Sequence, residues 1–353
     1  MKRPTLDRRQ FLRLNGAALA GAALAGAALA PAVGAQASLD TEGSTGGIPE
    51  NVSPGFYRFT LGDKEITVLS DGHFDYSPDF VTIDDPVEIQ AYNVDPETRV
   101  EHFRSRRLPT DQIPLQASPV VIDSGNQRTL VDCGMGTGEE LPPTAGRLAH
   151  SLEAAGIAPE SIDYVLLTHA HPDHMGGLVN PVAGAPIFPE AEVVISEAEH
   201  AFWTGDDVVS AQEPPFVSDI AESFAALARG VLGGMDDRIR IVQEEAEVTD
   251  GIWSIPSPGH TPGHICFAVE SGGQQLLLTG DAIVFSHTAF EYPGWHFFGD
   301  LDPEEAARSR ERLLDRATAN EMFILGYHFP FPGLGYAVEY GDGYRWMTAG
   351  AAL

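Results

Sequence analysis

Four side chains able to bind metals fall within six residues: His169, His171, Asp173 and His174, in the stretch Thr168-His169-Ala170-His171-Pro172-Asp173-His174. They follow the apolar run Tyr164-Val165-Leu166-Leu167, which predicts a buried strand. Side chains two apart on a strand share a face, so His169 and His171 can meet one ion as the strand gives out into a loop. Asp173 and His174 come on the next turn and can reach a second ion about 3.5–4 Å away, the separation of two-metal hydrolytic sites. Such a pair produces a hydroxide nucleophile near neutral pH, so the spacing predicts chemistry as well as binding.

Three more candidates follow, each delivered by an apolar run or a glycine-rich turn. Pro258-Gly259-His260-Thr261-Pro262-Gly263-His264 supplies His260. Leu276-Leu277-Leu278-Thr279-Gly280-Asp281 ends on Asp281, and Ile324-Leu325-Gly326-Tyr327-His328 ends on His328. Open α/β sheets carry their ligand sites at the C-terminal ends of strands. The ordered set of His-x-His-x-Asp-His and three downstream ligands resembles the metallo-β-lactamase superfamily over nearly the whole chain beyond residue 55. The resemblance implies an α+β fold, a four-layer αβ/βα sandwich. It implies one metal at His169, His171 and His260, a second at Asp173, His174 and His328, and Asp281 bridging them. Asp173 and Asp281 are the implied catalytic carboxylates, Asp281 by holding the bridge and Asp173 by relaying a proton. Imidazole and carboxylate ligands suit two divalent ions, zinc first, with manganese, iron or cobalt as alternatives. His264 is expected to orient a neighbouring group by hydrogen bonding.

Within that superfamily, Asp281 argues against a true β-lactamase, since those enzymes generally lack the bridging aspartate. The chain ends too soon for the helical domain of glyoxalase II. Compact homoserine-lactone hydrolases place a tyrosine three residues after the bridging aspartate, where this chain has Val284. The methyl parathion hydrolase group is resembled most, through Pro54-Gly55-Phe56-Tyr57-Arg58-Phe59-Thr60-Leu61-Gly62-Asp63, Leu69-Ser70-Asp71-Gly72 and His328-Phe329-Pro330-Phe331-Pro332-Gly333-Leu334-Gly335. Cys133, the segment 290–299 and the acidic segment 75–115 depart from it. Phe202, Trp203, Phe285, Trp295, Phe329 and Phe331 lie near the ligand-bearing segments and are expected to wall an apolar pocket for a small neutral hydrophobic substrate. The expected reaction is hydrolysis of lactones or carboxylic esters with phosphotriesters as a side activity. The alternatives are a phosphotriesterase proper and a periplasmic metal-binding protein.

Arg8-Arg9-Gln10-Phe11-Leu12-Arg13, an Ala/Gly-rich run and Ala35-Gln36-Ala37 read as a twin-arginine export signal over residues 1–37 with a processing site at its end. A flexible Gly/Ser/Thr/Pro leader over 38–54 and one hydrolase domain over 55–353 complete the expected organisation. The expected location is periplasmic or secreted, with no membrane anchor after processing. The formal net charge is -30, and removing residues 1–37 takes away five basic side chains and one acidic to leave -34. Such a surface repels polyanions and excludes a nucleic-acid partner. The resemblance allows a homodimer. The two cysteines, Cys133 and Cys266, sit in apolar runs without framework spacing and are expected to pack rather than pair.

Alternation and turn residues predict hairpins over 57–69, 119–132 and 265–278, and strands over 192–196, 238–242 and 322–325. Helical spacing is expected over 144–155, 216–229 and 304–317, the last begun by Asp302-Pro303. Residues 75–115 show weak periodicity and are expected to run over the active-site face.

Overall fold

The computed structural model describes residues 55–76, 81–138 and 141–349. The expected export signal and leader lie outside the described residues. The first half forms β1 (Phe56–Leu61), β2 (Lys64–Leu69), β3 (Gly72–Asp75), β4 (Pro114–Ala117), β5 (Val120–Asp123), β6 (Arg128–Val131), β7 (Tyr164–Leu166), β8 (Glu192–Ser196) and β9 (Ile239–Val242). The second half forms β10 (Ala246–Thr249), β11 (Ile252–Pro256), β12 (Ile265–Ser271), β13 (Gln274–Leu278), β14 (Phe323–Leu325), β15 (Leu334–Tyr340) and β16 (Gly343–Thr348). One seven-stranded sheet runs β1-β2-β5-β6-β7-β8-β9 and the other β10 to β16 in sequence order, with β3 and β4 paired apart.

Period-two alternation within single strands builds both faces of each sheet. In β8, Val194 faces the opposite sheet while Val193 and Ile195 face the outer helices. In β12, Ile265, Phe267 and Val269 enter the inter-sheet core, and Cys266 and Ala268 face outward. Outside the first sheet lie α3 (Leu148–Ala155), α5 (Glu197–Thr204), α6 (Val208–Gln212) and α7 (Ser218–Gly233), with α8 (Pro303–Ala319) outside the second. The layers are therefore helix, sheet, sheet, helix, the expected αβ/βα sandwich. Cys133 and Cys266 fall in different core clusters and are both free. Burial pushes both thiols up, Cys266 to about 12, so neither is a ready nucleophile.

The structure adds elements that the sequence patterns left unmarked. Residues 75–115 contain α1 (Pro86–Gln90) and α2 (Pro96–Ser105), whose caps Asp85 and Asp95 accept from Val87 N and Thr98 N. The sheet also continues past 322–325 into the β15–β16 hairpin, which exposes Tyr336, Val338, Tyr340 and Met347. The apolar parts of 75–115 do not float over the surface. Val81, Ile89, Ile113 and Leu115 join Phe216, Ile220, Phe285 and Phe297 in a separate cluster beside the ligand loops. Helix α4 (Pro172–Met175) completes the elements and lies in the first of those loops.

Candidate metal centre

Strand β7 ends at Leu166, and the chain turns into the histidine loop at once. Asp132, after β6, shapes that turn. Its carboxylate accepts from Thr168 N at 2.9 Å and Thr168 Oγ1 at 2.9 Å, and lies 2.8 Å from His174 Nδ1. Asp132 holds φ at 54°, a left-handed conformation that costs a non-glycine residue energy and marks a constrained site. Helix α4 then carries Asp173 and His174, with His171 as its extended N-terminal residue.

The turn at 258–264 is pressed between α8 and α5, which is why it carries glycine. A Cβ on Gly259 would lie 2.1 Å from Ala306 N, and one on Gly263 would lie 1.9 Å from Glu199 N. Glu199 is the tie between this turn and the histidine loop. Its Oε1 accepts from Ala170 N at 2.9 Å and Trp203 Nε1 at 2.6 Å. Its Oε2 accepts from Thr261 Oγ1 at 2.6 Å and Gly263 N at 3.1 Å.

All seven expected donors converge. Atoms of His169, His171 and His260, of His169, His174 and Asp281, and of Asp173, His174 and His328 each lie within 4.8 Å of one another. His171 Nδ1 is 2.9 Å from His169 Nε2 and 3.0 Å from His260 Nε2. Four nitrogens arranged tetrahedrally around zinc at 2.0–2.1 Å would stand about 3.3 Å apart, close to this spacing. On the other side, His328 Nε2 and His174 Nε2 lie 3.4 and 3.5 Å from Asp173 Oδ2. Asp281 stands between the groups. Its Oδ2 is 3.3 Å from His260 Nε2 and 3.9 Å from His169 Nε2, while its Oδ1 is 3.2 Å from both His174 Nε2 and His328 Nε2.

The outward nitrogens of His260 and His328 are held as metal-ligand imidazoles require. His260 Nδ1 is 3.0 Å from Asp300 Oδ1, and His328 Nδ1 donates to Gln116 O at 2.6 Å. His264 stays outside the ligand groups. Its Nε2 accepts from Asp281 N at 3.0 Å and its Nδ1 is 2.9 Å from Ser257 Oγ, which fixes the backbone of the bridging residue. Tyr327 donates to Asp173 O at 2.6 Å and lies against the His174 ring at 4.0 Å.

The electrostatics fit cations. Burial holds His169 and His171 well below the ordinary imidazole value, so both present lone pairs. Burial would raise Asp281, but His328, His174 and His260 around it hold its carboxyl well below the usual range. Burial would lower His174 and His328, yet Asp281 raises both. Asp281 Oδ1 and His174 Nε2 are buried and meet no hydrogen-bond partner of good geometry among the described residues. Buried polar atoms of that kind call for an unseen partner, and imidazoles gathered around a carboxylate are a donor set that suits a cation.

A family profile described as the metallo-beta-lactamase superfamily matches residues 113–328. The chain belongs to the metallo-β-lactamase superfamily. An uncharacterised protein of Bacillus subtilis (strain 168), YobT, is 29% identical over 208 residues, 56% of this chain and 77% of that protein. An N-acyl homoserine lactonase of a Bacillus species is 27% identical over 222 residues, 60% of this chain and 77% of that enzyme. Among solved structures, AidC, a dizinc quorum-quenching lactonase, matches with a TM-score of 0.73 at 24% identity, over 84% of this chain and 98% of that one. The hydrolase AbOPH matches with a TM-score of 0.72 at 24% identity over the same shares. At such identities the two structures show a common fold. Family membership and the assembled donors make this superfamily member a metal-dependent hydrolase.

The expected substrate wall is largely corrected. Phe329 is 1% exposed and packs on Phe290 and Trp346 in the core beneath α8. Trp203 is 0% exposed; it braces His171 from the side at 5.4 Å and spends its Nε1 on Glu199. Phe202 packs behind it in the outer core, and Phe331 packs on the inter-sheet core. Trp295 stacks on Tyr292 at 4.3 Å and lines a cleft of about 950 Å³ over α2, which none of the seven donors lines. Phe285 does belong to the cluster beside the site, but packs there on Phe297 and His287. Besides Trp203 and Tyr327, the rings that approach the donors are Phe216 and Phe224 at 5.9 and 5.8 Å from His171, Phe297 at 6.2 Å from His260, and Phe74 at 6.1 Å from His328. Sequence reasoning passed over these four, and also over Asp132, Glu199, Asp300 and Tyr327. Tyr327 adjoins a ligand and could have been found; the rest lie in segments that carry no motif.

Proposed function

We propose that this chain is a dinuclear hydrolase of lactones or carboxylic esters, with neutral phosphotriesters as a side activity. The observation that carries the reading is Asp281, whose two oxygens face two different donor groups at 3.2–3.3 Å. In this reading His169, His171 and His260 would hold one ion and Asp173, His174 and His328 the other, with Asp281 placed to serve both. Nitrogen and oxygen donors without thiolate suit zinc. When bound, such a pair supplies hydroxide near neutral pH and polarises the oxygen of the scissile group.

The protein's own part is positional. The outer partners Asp132, Asp300 and Gln116 O fix the imidazole rings, so little reorganisation accompanies the reaction. Asp173 has the most exposed side chain among the donors, at 17%, and is the carboxylate placed to pass a proton to a departing alkoxide. The aromatic rim of Phe216, Phe224, Phe297 and Phe74 favours a neutral apolar substrate. Relatives named N-acyl homoserine lactonase support the lactone reading. Val284, at the position of the tyrosine in the compact lactone hydrolases, is buried in the apolar cluster and brings no hydroxyl there. We place the protein in the periplasm or outside the cell on the strength of Arg8-Arg9 and Ala35-Gln36-Ala37. No described helix is long and apolar enough to cross a membrane.

Protein recovered from an exported fraction, its first residue checked for Ser38, tests this reading on a chromogenic panel of a lactone, an aryl ester, an aryl phosphotriester and a cephalosporin. The lactone or ester should turn over fastest, and a chelator should abolish turnover that added zinc restores. A phosphotriester turned over fastest would make phosphotriesterase the main activity. Bound metal with no turnover of any substrate would make the chain a metal-binding protein, and a retained N-terminal segment would remove the export reading.

A further inference from the structure

We infer that Arg310 and Asp300 form a buried clamp that positions His260, so that the first donor group depends on the segment 285–301 while the second does not. The inference rests on the metallohydrolase reading. Arg310 projects from α8 and is 3% exposed, a charge that would be costly to bury without several partners. Its guanidinium uses a planar fork of donors. Nε donates to Ala282 O at 3.0 Å, beside the bridging Asp281. Nη1 donates to Pro293 O and Trp295 O, both at 2.9 Å. Nη2 donates to Asp300 Oδ2 at 3.2 Å, and the other oxygen of Asp300 takes His260 Nδ1 at 3.0 Å.

One side chain therefore joins three stretches: the Asp281 turn, the 285–301 segment through two carbonyls and the carboxylate behind His260, and α8 itself. The backbone repeats the connection, with Leu301 N donating to His260 O at 3.2 Å and Asp302 N to Gly259 O at 2.8 Å. Phe297, from the same segment, lies parallel to the His260 ring. The second group is held from the other half of the chain. His174 leans on Asp132, after β6, and His328 on Gln116 O in β4. Neither contact involves α8 or 285–301. Arg310 and Asp300 are positioning residues: they act through His260 and the segment beside it.

The test compares wild type with Asp300→Asn, Arg310→Lys and Arg310→Met, each titrated with cobalt(II) against a competing chelator. Exchangeable imidazole N–H signals shifted by the bound cobalt are followed by proton NMR. Asp300→Asn should weaken one ion about 10–100-fold, the usual effect of removing an outer carboxylate, and leave the other within about threefold. It should move the single N–H signal of His260 and leave those of His174 and His328 in place. Arg310→Lys keeps the charge but not the fork, and should weaken the same ion. If Arg310→Met does not fold, Asp300→Asn, nearly identical in shape, carries the comparison. Equal weakening of both ions, or two unchanged affinities, would overturn the clamp. A wild-type protein that takes up no cobalt would instead overturn the metallohydrolase reading.

Discussion

Asp281→Asn should lower kcat by at least about 10²–10³-fold with metal in excess, the loss expected when a preorganised charge is removed from a reacting centre. The carboxylate offers one oxygen to His260 and His169 and the other to His174 and His328. An amide has one oxygen only. Whichever way it turns, both donor groups lose an anionic partner, and one of them faces an N–H. The charge that raises His174 and His328 also disappears, so both imidazoles lose their main electrostatic partner. Folding should be little affected, because the backbone bond from Asp281 N to His264 Nε2 remains and the two residues are close in shape. Steady-state rates and a melting curve on the same preparation check both parts. A rate near wild type would remove Asp281 from the mechanism.

The second large effect is on stability. Glu199→Ala should destabilise the protein by roughly 3–5 kcal/mol, because Ala170 N, Gly263 N and Trp203 Nε1 lose their acceptor while staying buried. Each stranded donor costs about 1–3 kcal/mol, and neighbours in one network do not add fully. The melting temperature should fall by roughly 6–12 °C. The metal centre should loosen as well. Ala170 separates His169 from His171, and Thr261 follows His260, so Glu199 holds the loops of three donors of one group. Glu199→Gln, which keeps one acceptor oxygen, should fall between wild type and Glu199→Ala. Denaturant unfolding decides it, and a change below about 1 kcal/mol would show that the loops hold without this tie.

The seven donors were legible in the sequence because each sits in a loop or turn that directly follows an apolar run, where the strand itself does the aiming. The sandwich was legible for the same reason, through short continuous apolar runs such as 193–195 and 265–269, the mark of strands covered on both faces. The supports were not. Glu199 reaches Ala170 across 29 positions and Thr261 across 62, and no local pattern announces a buried carboxylate. Helices α1 and α2 carry the same Asp-Pro start as α8, at Asp85-Pro86 and Asp95-Pro96. They escaped notice because α1 has five residues and α2 is crowded with charge. The aromatic wall failed for a different reason. Phe329 adjoins a ligand in sequence, but the face on which its ring falls is set by tertiary packing, and both faces of these sheets are covered. Trp203 of α5 does approach His171, and the other rings beside the donors came from β3, from α7 and its approach, and from the 285–301 segment.

The most direct test is anomalous scattering from crystals of the full chain grown with zinc. The account predicts two peaks about 3.5–4 Å apart, one among His169, His171 and His260 and one among Asp173, His174 and His328, with an oxygen of Asp281 on each. A single peak, or an Asp281 that touches neither ion, would contradict it.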